Sequence, residues 1–267
     1  MNILDEIIQF KRTEVEERKG LYPVKLLEQS IYFNTPVVSL KKYVLREDKS
    51  GIIAEIKRKS PSKGDINPYV SVERTSIGYM QAGASALSVL TDKKFFGGTN
   101  DDLMTARKFN FCPILRKDFV VDEYQIIEAK SIGADAILLI AAALRPEEIV
   151  SLARTAHALQ LEVLLEVHNE KELQDNLSAE VDLIGVNNRD LKTFVTDIGI
   201  SKRLAALIPN HVVKVSESGI EKTETIMELK KYGYRGFLMG QNFMQHSRPE
   251  KACKEFIDEL NRVEGKQ

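Results

Sequence analysis

From Gly51 onward, short apolar runs alternate with amphipathic stretches, and this rhythm predicts strands alternating with helices. Eight runs read as strands: Ile52–Lys57, Ala86–Leu90, Pro113–Lys117, Ala136–Ile140, Glu162–Val167, Leu183–Asn187, Val212–Ser216 and Phe237–Gly240. Between them the apolar spacing becomes helical, at Val72–Gln81, Tyr124–Ile132, Pro146–Ala158, Lys171–Asn176 and Thr223–Tyr232. Pro146 and Pro249 fall where a first helical turn tolerates proline, and Gly133 stands at a helix end just before a strand. Residues 1–50 differ: Ile3, Ile7, Ile8 and Phe10 are spaced as on a helix, and a second short helix is expected over Val37–Leu45.

Eight strands, each followed by a helix, predict an α/β fold with a parallel sheet covered by helices. Eight is the number that closes as a (β/α)8 TIM barrel. The expectation is a single domain over 1–267, with an extra N-terminal helical segment at 1–50 and the barrel at 51–267. An open doubly wound sheet is the alternative. It would open with a Gly-rich nucleotide turn, where this chain has Lys57-Arg58-Lys59-Ser60-Pro61.

Composition narrows the function classes. A net charge of -1 leaves no basic footprint for nucleic acid. No apolar run approaches the ~20 residues that span a bilayer. The N-terminus has no apolar signal core and carries many acids, so a cytoplasmic location is expected. Cys112 and Cys253 stand far apart and read as reduced thiols. His157, His168, His211 and His246 have no metal-ligand spacing, so no metal site is expected.

The informative residues are polar groups at the strand ends. Strands end in Glu55-Ile56-Lys57, Arg116-Lys117-Asp118, Glu166-Val167-His168, Asn187-Asn188-Arg189, Ser216-Glu217-Ser218-Gly219 and Gly240-Gln241. In a barrel this is the face that carries chemistry. Residues two apart on a strand share a face, so Glu55 and Lys57 point together. Buried charges need partners or a task, and a structural ion-pair network in the mouth is the plain alternative. Gly219 and Gly240 follow the last two strands, where barrels often bind phosphate with backbone N–H groups. Phe95-Phe96-Gly97-Gly98 reads either as loop packing or as an aromatic wall for a planar ligand. Asp101-Asp102 reads as a charge pair at a helix N-terminus.

These same residues carry a resemblance to indole-3-glycerol phosphate synthases. The stretches are IAEIKRKSPSKGDI (53–66), LSVLTDKKFFGG (87–98), ILRKDFVVDEYQI (114–126), GADAILLI (133–140), LLEVHNEKEL (164–173), LIGVNNRDLKTF (183–194), KVSESGI (214–220) and FLMGQNFM (237–244). They fall on every expected strand and in order. Gln241 stands where members more often carry Ser or Glu. The sequence stops soon after the eighth helix, so the isomerase domain fused in some members is not expected.

The resemblance implies ring closure of 1-(2-carboxyphenylamino)-1-deoxyribulose 5-phosphate with loss of CO2 and water, in tryptophan biosynthesis, with no cofactor. It implies Lys117 as the general acid of ring closure and Glu166 as the base of the later dehydration. Lys57 would meet the substrate carboxylate and serve as a second acid, and Glu55 would hold the lysines. Asn187 would bond the substrate hydroxyls or carbonyl, and Arg189 would orient the acids. Glu217 and Ser218 would position the ribulose chain, and Gly219, Gly240 and Gln241 the phosphate. Phe96 and Phe119 would wall the aromatic ring, with Ser60 and Leu138 also in contact with substrate. Lys57, Lys117 and Arg189 balance Glu55, Glu166 and Glu217, so backbone N–H groups must carry much of the phosphate binding. The partner expected is this small phosphosugar-anthranilate, with the chain a monomer and a dimer as the alternative. Two other readings remain: a phosphosugar isomerase or Schiff-base aldolase, with Lys117 as the imine-forming amine, and a barrel that binds without turnover.

Overall fold

The computed structural model describes residues 3–190 and 193–266; Leu191 and Lys192 of the LIGVNNRDLKTF stretch lie outside them. Eight parallel strands close into a barrel: β1 (Ile52–Ile56), β2 (Ala86–Leu90), β3 (Ile114–Lys117), β4 (Ala136–Ile140), β5 (Glu162–Val167), β6 (Leu183–Asn187), β7 (Val213–Glu217) and β8 (Gly236–Met239). Each pairs with its neighbours in chain order, and β8 closes on β1 through Ile52 opposite Phe237 and Ala54 opposite Met239. The chain thus forms a TIM barrel with an N-terminal helical segment.

Alternation along the strands builds two apolar layers. Ile53, Leu115, Leu138, Leu164, Leu183, Val215 and Leu238 point inward and fill the barrel. Ile52, Ala54, Ile114, Ile137, Leu165 and Val186 point outward and meet the helices. The inward row continues, two residues on, into Glu55, Lys117, Glu166, Glu217 and Gly240, and on β6, four residues past Leu183, into Asn187. The strand period that packs the core therefore delivers the polar groups to one rim.

The N-terminal segment closes both ends. Helix α1 (Ile3–Leu21) lies over the C-terminal mouth, where Ile3, Leu4 and Ile7 line the cavity. Helix α2 (Val24–Leu27) is a single turn. Helix α3 (Leu40–Val44) places Leu40 and Val44 in the apolar cluster that fills the barrel, as a plug at the opposite end. Glu162, at the start of β5, accepts hydrogen bonds from Ser39 Oγ and from Lys41 N–H, which hold the plug. The expected Val37–Leu45 helix is shorter than its pattern because Ser39 caps it, accepting from Lys42 N–H.

Three of the helices are Val72–Gln81, Glu123–Ser131 and Pro146–Ala158, within a residue of the pattern. The loop Phe95–Gly98 is in part a helical turn, Lys93–Phe96, capped by Asp92. A Cβ on Gly98 would lie 1.9 Å from Leu90 O, so only glycine lets this turn fold against β2. Asp101 and Asp102 open the helix Asn100–Phe109, where Thr99 and Asp102 form a reciprocal cap. Asp102 also takes a two-pronged ion pair from Arg58, which ties the loop after β1 to this helix.

Candidate active site

A cavity of about 550 Å³ opens at the C-terminal ends of the strands, roofed by α1. That is room for a drug-sized ligand. At its floor Lys117, from β3, reaches across the barrel to β7 on the far side. Its Nζ stands 2.8 Å from Glu217 Oε2 and 3.3 Å from Glu166 Oε2. Glu55 forms a second pair, with Oε1 2.8 Å from Lys57 Nζ. Asn187 Nδ2 donates to Glu166 Oε1 at 3.2 Å.

Small residues make room for these acids. A Cβ on Gly185 would lie 2.2 Å from Glu217 Oε1, and one on Gly240 would lie 2.5 Å from Glu55 Oε1. Both glycines therefore allow a carboxylate to pack against backbone.

Electrostatics separate the three acids. Burial opposes the charge on Lys117, but Glu217, Glu166 and Glu55 outweigh it and raise its ammonium above the usual lysine range. Burial also opposes the charge on Glu166, yet Lys117 and His168 hold its carboxyl well below the usual range. Glu55 is likewise lowered, with Lys57 and Lys117 overcoming burial. Glu217 goes the other way: burial, with Glu166 facing it, outweighs Lys117 and pushes it up to about 7. Its Oε1 is buried with no hydrogen-bond partner among the described residues, as suits a carboxyl that keeps a proton.

The sign of the resulting pH dependence follows. A carboxyl raised from 4.5 to about 7 binds its proton more tightly when folded. Its contribution to stability is whole below the unfolded value and is lost as pH climbs through about 7. Glu217→Gln, which cannot ionise, is expected to gain stability relative to the wild type on the alkaline side. It is also expected to lose the neutral limb of the kcat/KM profile. Melts and rates from about pH 5 to about pH 9 measure both; an unchanged profile would remove Glu217 as the group that titrates.

His168 is a participant that sequence reasoning passed over. Its Nε2 lies 3.3 Å from Glu166 Oε1 and its Nδ1 3.1 Å from Glu172 Oε2. Burial opposes its charge, but the carboxylates of Glu166 and Glu172 beside it push its pKa up to about 10. Its position two residues after Glu166, on the same face, was the available signal.

Around the charged floor stand the other expected residues. Phe96 and Phe119 face each other with ring centroids 5.8 Å apart at one side of the cavity. Leu138 and Ser60 also line it. On the opposite side the turn after β7 holds Ser218 and Gly219 in left-handed backbone, with φ of 66° and 74°. A non-glycine residue there stores strain of about 1–3 kcal/mol. Asn188, fully buried, holds the turn by donating to Glu217 O and Ser218 O, at 3.0 and 3.1 Å. Gly240 opens the short helix Gln241–Met244. Arg189 Nη2 stands 3.4 Å from Gln241 Oε1, which puts this guanidinium beside the glycine turns. Orientation of Glu166 comes from Lys117, Asn187 and His168.

All the residues expected from the sequence thus line one cavity. Arg116 and Asp118, which share the end of β3, are tied elsewhere: Arg116 pairs with Glu128 on the helix Glu123–Ser131. Among the described residues no group of three or more His, Cys, Asp or Glu is placed to hold a metal ion.

A closed parallel barrel with paired acids and lysines gathered at its C-terminal mouth defines a TIM-barrel enzyme acting on a small molecule. A family model described as indole-3-glycerol phosphate synthase matches residues 4–256, and the chain belongs to that family. An indole-3-glycerol phosphate synthase of Bacteroides thetaiotaomicron is 48% identical over 256 residues, covering 96% of this chain and 98% of that one. The protein of the same name from Caldanaerobacter subterraneus subsp. tengcongensis is 42% identical over 258 residues, covering 97% and 98%. Among solved structures, a thiamine phosphate pyrophosphorylase from Pyrococcus furiosus superposes with a TM-score of 0.60 at 14% identity, over 83% of this chain and 99% of that one. That last likeness shows the fold alone.

Proposed function

We propose that this mouth forms indole-3-glycerol phosphate, in tryptophan biosynthesis, from 1-(2-carboxyphenylamino)-1-deoxyribulose 5-phosphate. The observation that carries the reading is the position of Lys117: its ammonium lies among three acids, with an aromatic pair on one side and two glycine turns on the other.

The substrate's aryl ring lies against Phe96 and Phe119, its carboxylate meets Lys57, and its phosphate sits at Gly219, Gly240 and Gln241 near Arg189. The ring carbon that bears the carboxylate attacks the ribulose carbonyl, and Lys117 protonates the oxygen. CO2 leaves and returns its electron pair to the ring. Glu166 then takes up a proton while an acid releases the hydroxyl as water. Lys57 can serve as that acid, and Glu217, poised near neutrality, is suited to replenish the proton on Lys117 across 2.8 Å. Asn187 bonds the carbonyl or hydroxyls, and Ser218 and Glu217 position the ribulose chain.

An imine route would need Lys117 neutral, and its three acids hold it charged. The N-terminal segment and the barrel act as one domain, as a monomer in the cytoplasm. Among the described residues no helix is long and apolar enough to cross a membrane. Turnover followed by indole fluorescence tests the activity, because the chain has no Trp to mask the product. Substrate consumed without an indole signal, or an amine trapped by borohydride, would sink the reading.

A further inference from the structure

We infer that Lys11, on the N-terminal helix, is a positioning residue for the aryl end of the cavity. It is almost fully buried, at 2% exposure, although a lysine on an amphipathic helix ordinarily reaches water. Its Nζ stands 2.8 Å from Asp92 Oδ2 and 3.0 Å from Asp118 Oδ1. Both carboxylates are buried, and each has a second task. Asp92 Oδ1 accepts from the N–H groups of Phe95 and Phe96, at 2.7 and 3.2 Å. Asp118 Oδ1 accepts from Phe119 N–H at 2.8 Å. One ammonium therefore holds the two acids that fix the backbones of Phe96 and Phe119, the rings that face each other across the aryl end.

Neighbouring contacts brace the same clasp. Phe10, next to Lys11, meets Phe95 edge to face at 5.9 Å, and Lys94 Nζ lies 4.2 Å over the Phe10 ring. Ile3, Leu4 and Ile7 of the same helix line the cavity. Helix, turn and strand end are thus joined at one buried charge. Without it Asp92 is left uncompensated, Asp118 keeps only Arg116, at 3.3 Å, and the rings lose their common anchor. Among the described residues no ion pair or hydrogen bond links Lys11 to the glycine turns that face them.

This inference rests on the proposed reading of Phe96 and Phe119 as the aryl wall. It predicts that Lys11→Met weakens anthranilate binding roughly tenfold or more, as misplacing a positioned group does, and leaves inorganic phosphate binding unchanged. KM for the full substrate rises with it, and kcat falls far less. Calorimetry with anthranilate and with inorganic phosphate measures the two ends separately and needs no turnover. Lys11→Met is expected to destabilise the fold, so Lys11→Met with Asp92→Asn is the second variant. It removes one orphaned acid and raises the melting temperature, but aryl affinity stays low. Equal losses for anthranilate and phosphate, unchanged anthranilate binding, or aryl affinity that returns with stability in the double variant would each overturn the inference. A wild-type protein that binds no anthranilate would instead overturn the assignment of the aryl wall.

Discussion

Lys117→Ala is expected to lower kcat by ~10²–10⁴-fold, the usual worth of a positioned proton donor. The barrel should stay folded, because the side chain fills the mouth and not the apolar interior formed by Leu115, Leu138 and Leu164. The loss exceeds that of a point charge alone. Lys117 bridges Glu166 and Glu217, so its removal leaves acids facing each other without a cation between them. They respond by keeping protons that the native site gives up. Folded carboxyls raised in this way stabilise at low pH and lose that contribution as pH rises through their new values. The variant should therefore melt increasingly below the wild type as pH increases. Single-turnover rates and melting curves on the same preparation check both claims. Near-normal kcat would remove Lys117 as the acid.

Glu166→Gln is expected to cost ~10²–10⁴-fold in kcat as well, through loss of the base. Glutamine keeps the size and can still meet Asn187, but it takes no proton. The variant also removes one partner from each of two cations. His168 loses the carboxylate that does most to raise it, so its pKa should fall from about 10. Lys117 retains Glu217 and Glu55, so it stays charged and the first step should survive better than the second. Rapid-quench analysis would then show CO2 released before indole product forms. Loss of both steps in equal measure would place Glu166 in ring closure.

Much of this was legible because the strand period is short and regular. Ile53 and Glu55, Leu115 and Lys117, and Leu164 and Glu166 share inward faces, so apolar patterning placed the acids and lysines together. Strand limits moved by about one residue, as at Val213–Glu217, where the apolar run suggested Val212–Ser216. Short elements escaped. The turn Lys93–Phe96 depends on the Asp92 cap and the close approach of Gly98 to β2, and the two-residue ladder of Lys59–Ser60 with Gly64–Asp65 is too brief to leave a period. Lys11 escaped for another reason. Helical spacing marks which face turns inward, but Asp92 and Asp118 lie far along the chain, so nothing local distinguishes an ion-paired lysine from a solvated one. His168 was visible, but its setting between Glu166 and Glu172 arises only when the turn after β5 folds back.

The four residues of β3 serve two masters. Lys117 faces the cavity, while Arg116 beside it turns out to Glu128 under the helical layer. Insertion or deletion of one residue within the strand would exchange these two cations, leaving a guanidinium in the mouth and an ammonium beneath the helices. Length changes in this strand are therefore all or nothing, whereas the exposed tip at Lys63–Gly64 has room to lengthen.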